Sequence, residues 1–256
     1  MLHNVIGDIM ANLHSAISFG LVNIPIVYNP VIKNNDTTFN QLHKKCLNRI
    51  HYQKYCDHCK KIVKESELVK GYEYEKGEYI TFTKEELSNM QVDLKDSIEI
   101  VSFVPENEID SYYYEKSYIL TTSKKSKAYS LFLEALKKSK KVAVAKTTIG
   151  TKFYYVLLKY FEGNILMSTI YFEEEINVPA TTIEAKFTKK ELDLAMKLIE
   201  HLSGHFTPNE YQDDYQKQIK DAINDKVNGQ EIPKKTKKKK ASIKDLVTSL
   251  QKSLEV

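Results

Sequence analysis

Short runs of β-branched and aromatic residues, separated by glycine or proline, fill the first two thirds of the chain and constrain its fold more than any other feature. Such runs predict strands joined by tight turns, because β-branched side chains fit a pleated surface and glycine accepts turn backbone angles. The candidate strands lie within residues 16–31, 69–82, 97–104, 112–121, 142–145, 153–160 and 165–172. Turns at Gly77 and Gly163 predict two hairpins. The pattern therefore predicts a mixed, β-rich fold.

Helical signals are sparse in this body and dominate the C-terminal third. Inside the body, one helix is predicted where apolar side chains recur at helical spacing at Ala128, Leu131, Phe132, Ala135 and Leu136. A capping box at Thr83 and Glu86 predicts a shorter helix. Two C-terminal helices over about 188–229 are predicted from start and stop signals at Thr188, Glu191, Gly204, Thr207, Pro208 and Gly229.

Two segments of the chain carry concentrated positive charge. Residues 121–152 hold nine lysines against one acid (+8), and residues 234–256 hold eight lysines against two acids (+6). The net charge is +4, so 4 − 8 − 6 leaves −10 for the remainder. An acidic body with two basic segments favours binding of a polyanion such as DNA, with solvated lysine faces as the alternative. The candidate DNA-binding residues are Lys124, Lys125, Lys127, Lys137, Lys138, Lys140, Lys141, Lys146 and Lys152, and in the tail Lys234, Lys235, Lys237, Lys238, Lys239 and Lys240.

The type of base narrows the mode of binding. Arg49 is the only arginine in the chain. Lysine offers a point charge to phosphate, whereas the arginine fork reads guanine edges in the major groove. The composition therefore predicts contact with the nucleic-acid backbone independent of sequence. Codon usage in an AT-rich genome would produce the same bias without any functional cause.

One constellation has the spacing of a metal site. His43, Cys46, Cys56 and Cys59 form two pairs, each with two residues between its members, separated by nine residues. Four soft or borderline ligands in this pattern are typical of a structural zinc site, with His51 and His58 as spare ligands. The alternative is a simple turn with reduced cysteines. A four-ligand site would leave no open position for catalysis.

The sequence favours a binding protein over an enzyme. It contains no phosphate-binding loop, no nucleophile elbow and no His-Glu-x-x-His motif, so we predict no catalytic residue. No stretch approaches the ~20 apolar residues of a membrane span. Three cysteines including a Cys-x-x-Cys suit a reducing compartment, so we expect a cytoplasmic protein. Residues 1–10 are expected to be a leader outside the core, with Met10 as an alternative start.

Several collinear segments resemble the prokaryotic Ku family of DNA-end-binding proteins. The first is the Ser18-Phe19-Gly20-Leu21-Val22-Asn23-Ile24-Pro25 strand, and the resemblance continues to the C-terminus. The other matching segments are Gln41-Leu42-His43, Arg49-Ile50, the Cys56-x-x-Cys59 loop, Val69-Lys70-Gly71-Tyr72-Glu73-Tyr74, Lys127-Ala128-Tyr129, Glu134-Ala135-Leu136, Phe206-Thr207-Pro208 to Tyr211, Asp214-Tyr215 and Asp245-Leu246-Val247.

The resemblance implies a specific architecture and role. The core, residues 11–230, would be a Ku-type β-barrel with a bridge at about 121–152 and C-terminal helices, followed by a basic tail over 231–256. A ring-shaped homodimer would thread onto DNA double-strand ends, without catalysis, in the bacterial cytoplasm on the nucleoid. It would recruit an ATP-dependent DNA ligase for non-homologous end joining, and the apolar face of the tail offers Leu246, Val247 and Leu250 as candidate partner contacts.

Two other classes of function stay open from the sequence. A metal-dependent nuclease-like DNA-processing enzyme would be favoured by acids that converge beside the basic segment. A zinc-ribbon RNA-binding module would be favoured by a preference for single strands over blunt duplex.

Overall fold

A computed structural model describes residues 14–90, 94, 97–122, 125–178 and 186–231. The expected leader at residues 1–10, Lys124 and the tail from residue 232 onward lie outside the described residues. The chain divides into two compact units. The first comprises Met1–Asn35 with Asn40–Asn177, and the second comprises Asp36–Phe39 with Val178–Val256.

The first unit is built on a closed seven-stranded barrel. Its strands are β1 (His14–Phe19), β2 (Val22–Pro30), β7 (Ser97–Pro105), β8 (Tyr114–Thr121), β9 (Lys141–Ile149), β10 (Lys152–Phe161) and β11 (Asn164–Ile170). They follow the order β1-β2-β8-β11-β10-β9-β7, and β7 closes the barrel by pairing in parallel with β1. The other neighbours pair antiparallel. The predicted β-rich fold is confirmed.

The alternation of residues along the strands fills the barrel interior. Inward positions carry β-branched and aliphatic side chains, which are the residues that pack a pleated surface without polar groups to satisfy. The buried core includes Ile17, Ile24, Ile26, Ile98, Leu120, Ala143, Ala145, Val156, Leu158, Ile165 and Met167. The tight turn between β10 and β11 has positive φ at both Glu162 and Gly163, as a two-residue hairpin turn requires. The hairpin predicted there is confirmed.

A single helix, α2 (Lys127–Ser139), closes one end of the barrel. Ser126 caps its first turn by accepting a hydrogen bond from the Tyr129 amide. Tyr129, Phe132 and Leu136 are buried in the barrel core. The Tyr129 hydroxyl donates to the Leu120 carbonyl at 2.6 Å and accepts from the Ile165 amide at 3.3 Å. The helix predicted from apolar spacing is confirmed.

The antiparallel register gives the barrel two distinct ends. The capped end holds α2, the β1–β2 turn at Gly20 and the start of β9 at Lys141. The open end holds the end of β2 at Pro30, the start of β7 at Ser97 and the start of β10 at Lys152. Since β9 spans nine residues at ~3.3 Å each, its own two ends are roughly 27 Å apart along the strand.

The long insertion of the barrel lies between β2 and β7, and both of its connections are at the open end. We call residues 40–90 of this insertion the arm. It contains β3 (Tyr55–Cys56) paired with β4 (Lys61–Ile62), β5 (Lys70–Glu75) paired with β6 (Glu78–Phe82), and α1 (Lys84–Asn89). The hairpin predicted around Gly77 and the capped helix after Thr83 are confirmed.

The arm is a different segment from residues 121–152, where the sequence predicts a bridge. Those residues form the end of β8, α2 and β9, which belong to the barrel, because their apolar side chains fill its interior. The segment that departs from the barrel lies earlier in the chain. The sequence of the arm has no continuous apolar period, so it does not predict that residues 40–90 form one insertion.

The second unit contains the two helices expected in the C-terminal third. α3 (Lys189–Leu202) begins at the predicted Thr188–Glu191 capping box. α4 (Asp214–Val227) begins later than predicted, because Asp213 caps it by accepting from the Gln216 amide at 2.9 Å. Pro208 opens only a short 3₁₀ turn. Within the described ranges, no helix is both long and apolar enough to span a bilayer.

Candidate nucleic-acid interface

The first half of the arm consists of two tight loops with the same pattern. In the first loop, His43 and Cys46 are followed by Leu47 in the left-handed region, with φ of 55°. The Leu47 amide donates to the His43 carbonyl at 2.8 Å, and His43 Nδ1 lies 3.1 Å from Cys46 Sγ. Non-glycine residues seldom adopt this backbone conformation, so the loop has a specific shape that brings its two side chains together.

The second loop repeats this arrangement with two cysteines. Cys56 and Cys59 are followed by Lys60 with φ of 52°, and the β3–β4 pairing joins the two sides of the loop. The Cys59 amide donates to Cys56 Sγ at 3.4 Å, and this hydrogen bond lowers the pKa of the Cys56 thiol. Hydrogen bonding to Cys56 raises the pKa of the Cys59 thiol. One cysteine of the pair is therefore favoured as a thiolate, the form that ligates metals.

The structure brings the candidate zinc ligands together in pairs. His43 is with Cys46, and Cys56 is with Cys59, while His58 Nδ1 lies 4.0 Å from Cys59 Sγ. Across residues 40–62, as in the rest of the described chain, no three His, Cys, Asp or Glu side chains are close enough to hold one metal ion. The donor types fit zinc, but the two half-sites do not form a tetrahedron. A shared zinc site remains a prediction.

The two loops carry a third concentration of positive charge. We call residues 43–64 the knuckle segment; it contains seven bases and one acid, Asp57, for a net charge of +6. Its charge is less conspicuous than that of the two lysine-rich segments, because its bases are interspersed with histidines, cysteines and aromatic residues. Counting charge in a sliding window across residues 43–64 would have found it.

Most of these bases are available to a ligand. Lys54 pairs with Glu65, and Lys61 pairs with Glu67 at 3.0 Å. The other five bases make no ion pair within the described part of the chain; they are Lys44, Lys45, Arg49, Lys60 and Lys64. All five are exposed. Clustered exposed bases without protein partners can neutralise phosphates.

The second half of the arm has the opposite charge. Residues 65–90 hold seven acids against three lysines. Every residue of β5 and most of β6 are exposed, including Tyr72, Tyr74 and Tyr79. A polyanion would be repelled by this half and attracted by the knuckle segment. The first half of the arm is therefore the half suited to nucleic acid.

The nine lysines predicted in 121–152 fall into three separate places. Lys125 and Lys127 are at the start of α2, and Lys137, Lys138, Lys140 and Lys141 surround its end. Lys146 and Lys152 are on β9 and at the start of β10, toward the open end. Lys124 lies outside the described residues. These lysines therefore do not form one continuous strip.

Several of these lysines have contacts within the barrel. Lys146 pairs with Glu99 at 3.1 Å, and Lys138 pairs with Glu134 at 3.4 Å. Lys137 lies 5.4 Å from the Tyr160 ring centroid, and Lys152 lies 5.0 Å from that of Tyr154. At the capped end, Lys141 borders an apolar cavity of about 310 Å³ that is also lined by Phe19, Phe103, Phe132, Ala135, Leu136 and Ser139. These lysines thus contact acids, aromatic rings and apolar side chains of the barrel more than the bases of the knuckle segment do.

Comparison with known proteins agrees with this architecture. Residues 18–194 match the model of the Ku70/Ku80 β-barrel domain. The chain is 38% identical over 201 residues to the non-homologous end joining protein Ku of Desulfitobacterium hafniense, covering 77% of this chain and 70% of that protein. It is 37% identical to the protein of that name from Lachnoclostridium phytofermentans, covering 80% of both chains.

A third relative extends the similarity through the C-terminal third. The non-homologous end joining protein Ku of Solibacter usitatus is 32% identical over 242 residues, covering 93% of this chain and 91% of that protein. The matches therefore include the barrel, the arm inserted in it and the C-terminal helices. The closed barrel with this insertion and this coverage show that the chain belongs to the Ku70/Ku80 β-barrel family.

Proposed function

We propose that this protein binds DNA double-strand ends without reading their sequence and acts in non-homologous end joining. The observation that carries the proposal is the arm, which departs from the open end of the barrel and concentrates five unpaired bases in the knuckle segment. Relatives that share the barrel and the arm are named for non-homologous end joining. Lysine-rich contacts suit phosphates, which carry no sequence information.

The proposed binding unit is a ring-shaped homodimer. The β5–β6 hairpin is a separate two-stranded sheet with exposed Tyr72, Tyr74, Tyr79 and Ile80. Isolated two-stranded hairpins are marginally stable in water, and their unpaired edges accept further strands. A second copy of the chain would cover these edges and aromatic faces. Two arms joined in this way would enclose a duplex that has entered from a free end.

The proposed role assigns no catalytic residue to this chain. Its contribution is to hold the ends while a partner, an ATP-dependent DNA ligase, seals them. The tail is proposed to add lysine contacts to DNA and to recruit the ligase through Leu246, Val247 and Leu250, which lie outside the described residues. This role would place the protein on the bacterial nucleoid in the cytoplasm.

The decisive experiment compares topologies of the same DNA. A linear duplex and its covalently closed circle compete for the protein in a gel-shift assay at fixed salt. A closed ring loads only at an end, so we expect the linear form to bind at least roughly tenfold more tightly, a difference of about 1.4 kcal/mol. Equal affinity for both forms would contradict the ring. Absence of binding to either form would contradict the proposed function itself.

Ligase recruitment needs a separate test that leaves the lysines intact. Changing Leu246 and Leu250 to Asp removes apolar contacts from the tail without altering Lys234–Lys240. We expect unchanged affinity for linear duplex and a loss of ligase stimulation. Full stimulation by this variant would show that another surface recruits the ligase.

A further inference from the structure

The solitary arginine of the chain lies in the knuckle segment. Thirty-eight residues are Lys or Arg, and only Arg49 is arginine. Arginine differs from lysine in its planar fork of five donors and its weaker hydration, so it enters confined polar sites more readily. Every other base of the chain is lysine. The one arginine therefore marks a position where the guanidinium fork can serve a purpose that lysine cannot.

The structure shows that Arg49 has no internal role for its side chain. Its guanidinium makes no ion pair, side-chain hydrogen bond or ring contact within the described part of the chain. The residue is exposed. A fork with five unused donors is not needed to stabilise this fold. The donors are free for a ligand.

The backbone beneath Arg49 is held firmly. Arg49 pairs with Leu42 in an antiparallel bridge. On either side, the His43 amide donates to the Asn48 carbonyl at 2.9 Å, and the Ile50 amide donates to the Gln41 carbonyl at 3.2 Å. These two hydrogen bonds make up the bridge and fix the backbone from which the side chain starts. A fixed base reduces the entropy lost when the fork is ordered on a ligand.

The neighbours of Arg49 in this loop suit the two walls of a DNA groove. Lys44 and Lys45 are exposed and unpaired, and they supply point charges for phosphates. Leu47 is 69% exposed and Ile50 is 43% exposed. Apolar side chains beside an arginine can contact deoxyribose, which lines the minor groove. Phosphate contact alone would be served by lysine, as it is elsewhere in the segment.

We propose that Arg49 inserts into the minor groove of the bound duplex while Lys44 and Lys45 contact the flanking phosphates. The narrow groove of A·T-rich DNA has enhanced negative potential, and the N2 amino group of guanine obstructs the groove in G·C-rich DNA. The protein would then favour ends with a narrow, unobstructed minor groove without reading individual bases. This inference rests on the proposed function.

The test uses a substitution that keeps the charge and removes the fork. Arg49→Lys is compared with the parent on two linear duplexes that differ only by replacing guanine with inosine, which deletes the N2 amino group from the minor groove and leaves the major-groove acceptors unchanged. Lys84→Arg, an exposed position on α1, is the matched control. Binding is measured by fluorescence anisotropy over a range of salt concentrations.

We expect the parent to bind the inosine duplex roughly five- to tenfold more tightly than the guanine duplex, the lower end of the discrimination given by one groove contact. Arg49→Lys should lose that preference and weaken binding to the inosine duplex by roughly tenfold, with an unchanged salt slope because the charge is retained. Netropsin, a minor-groove ligand, should compete with the parent more strongly than with Arg49→Lys. Lys84→Arg should behave as the parent does.

Two results would overturn the inference. If Arg49→Lys equals the parent on both duplexes, the fork has no role. If both duplexes bind equally and the variant loses the same affinity on each, Arg49 contacts phosphate and the groove assignment is wrong. In either case the proposed function survives, since the parent still binds linear duplex. A parent that binds no linear duplex would contradict both proposals together.

Discussion

The capped end of the barrel and the arm solve opposite physical problems within one unit. At the capped end, Phe132 and Leu136 are at most 3% exposed, and Tyr129 is hydrogen-bonded on both sides of its hydroxyl. In the arm, no residue from 40 to 90 is buried. The capped end is stabilised by its own side chains. The arm has little apolar burial, so we predict that a metal, a second copy or DNA adds to its stability.

This difference predicts where ligands act. Binding that occurs only in the folded state adds stability to the segment that it orders. A region with a closed core gains little from a ligand, whereas a region without one depends on it. Four experiments can test this difference between the capped end and the arm.

Removal of zinc should affect the arm and spare the barrel. We expect one zinc per chain in protein purified without chelator, with His43, Cys46, Cys56 and Cys59 as ligands. Structural zinc in small modules contributes roughly 10 kcal/mol or more, because ligation and folding are coupled. Cys56→Ser or a chelator should therefore increase amide exchange in residues 40–90 and leave α2 protected.

Metal analysis and a thiol titration decide this prediction. Substoichiometric zinc with three titratable thiols would show that the two loops are simple turns. Ser88→Ala, which changes a hydroxyl on α1 of the same arm, is a suitable control. A loss of exchange protection in α2 would mean that the arm and the capped end unfold together, which would contradict the comparison.

A core substitution should have the converse effect. Phe132→Ala removes a buried ring from the capped end, where the centroid of this ring lies 5.3 Å from that of the Phe19 ring. Large-to-small changes of this kind cost roughly 3–5 kcal/mol of the free energy of unfolding. Tyr52→Ala in the arm, outside the β5–β6 hairpin, removes a ring that is 82% exposed, and exposed substitutions usually change stability by less than about 0.5 kcal/mol. Denaturant unfolding at one fixed protein concentration measures both; equal costs would contradict a coreless arm.

The same contrast explains what the sequence could predict. The strands, the hairpins and α2 follow from alternation, turn residues and apolar spacing, all of which are local signals that packing in the barrel reinforces. The two capping boxes at Thr83 and Thr188 also predicted helix starts correctly, because capping is an interaction over three residues. Barrel closure by the parallel β1–β7 pair has no local signal, since its partners are some eighty residues apart.

The candidate site was harder to predict than the barrel. Composition predicts DNA binding by the two longest lysine-rich segments. The lysines of residues 121–152, however, are distributed over both barrel ends, because β9 runs from one end to the other. The knuckle segment has fewer lysines in a row, and its importance comes from its place in an insertion at the open end. Local charge density can be counted in a sequence. The grouping of charges across strands cannot, because it depends on pairings between distant residues.

A pair of matched charge variants tests which region binds DNA. Changing Lys44, Lys45, Lys60 and Lys64 to Gln removes four charges from the arm, and changing Lys137, Lys138, Lys140 and Lys141 to Gln removes four from the capped end. We expect the arm variant to weaken linear-duplex binding by roughly a hundredfold, with the salt slope reduced by about 0.9 for each phosphate that the variant no longer neutralises. The capped-end variant should be weakened much less.

The reverse order would be informative. A larger loss of affinity in the capped-end variant would show that the duplex lies along the lysines predicted from residues 121–152. Equal losses with equal changes in slope would place DNA across both ends of the barrel. Thermal unfolding of each variant controls for stability, since all eight lysines are exposed.

The smallest effect concerns the buried hydroxyl that joins α2 to the barrel. Burial raises the pKa of the Tyr129 phenol, so the folded state retains this proton at pH values where the unfolded chain, with a tyrosine pKa near 10, loses it. Above about pH 10 the unfolded state therefore binds fewer protons, and the free energy of unfolding must fall as pH rises, by at most about 1.4 kcal/mol per pH unit for one group.

Tyr129→Phe should cost about 1 kcal/mol of the free energy of unfolding at neutral pH, because the Leu120 carbonyl and Ile165 amide lose a partner. This deficit should shrink between pH 10 and 11, because only the parent has the phenol that titrates. Urea unfolding at pH 8, 10 and 11 measures the difference between variant and parent, in which the titration of all other groups cancels. A deficit that stays constant with pH would mean that the phenol at the capped end is open to water, and that this end is closed less completely than its buried side chains indicate.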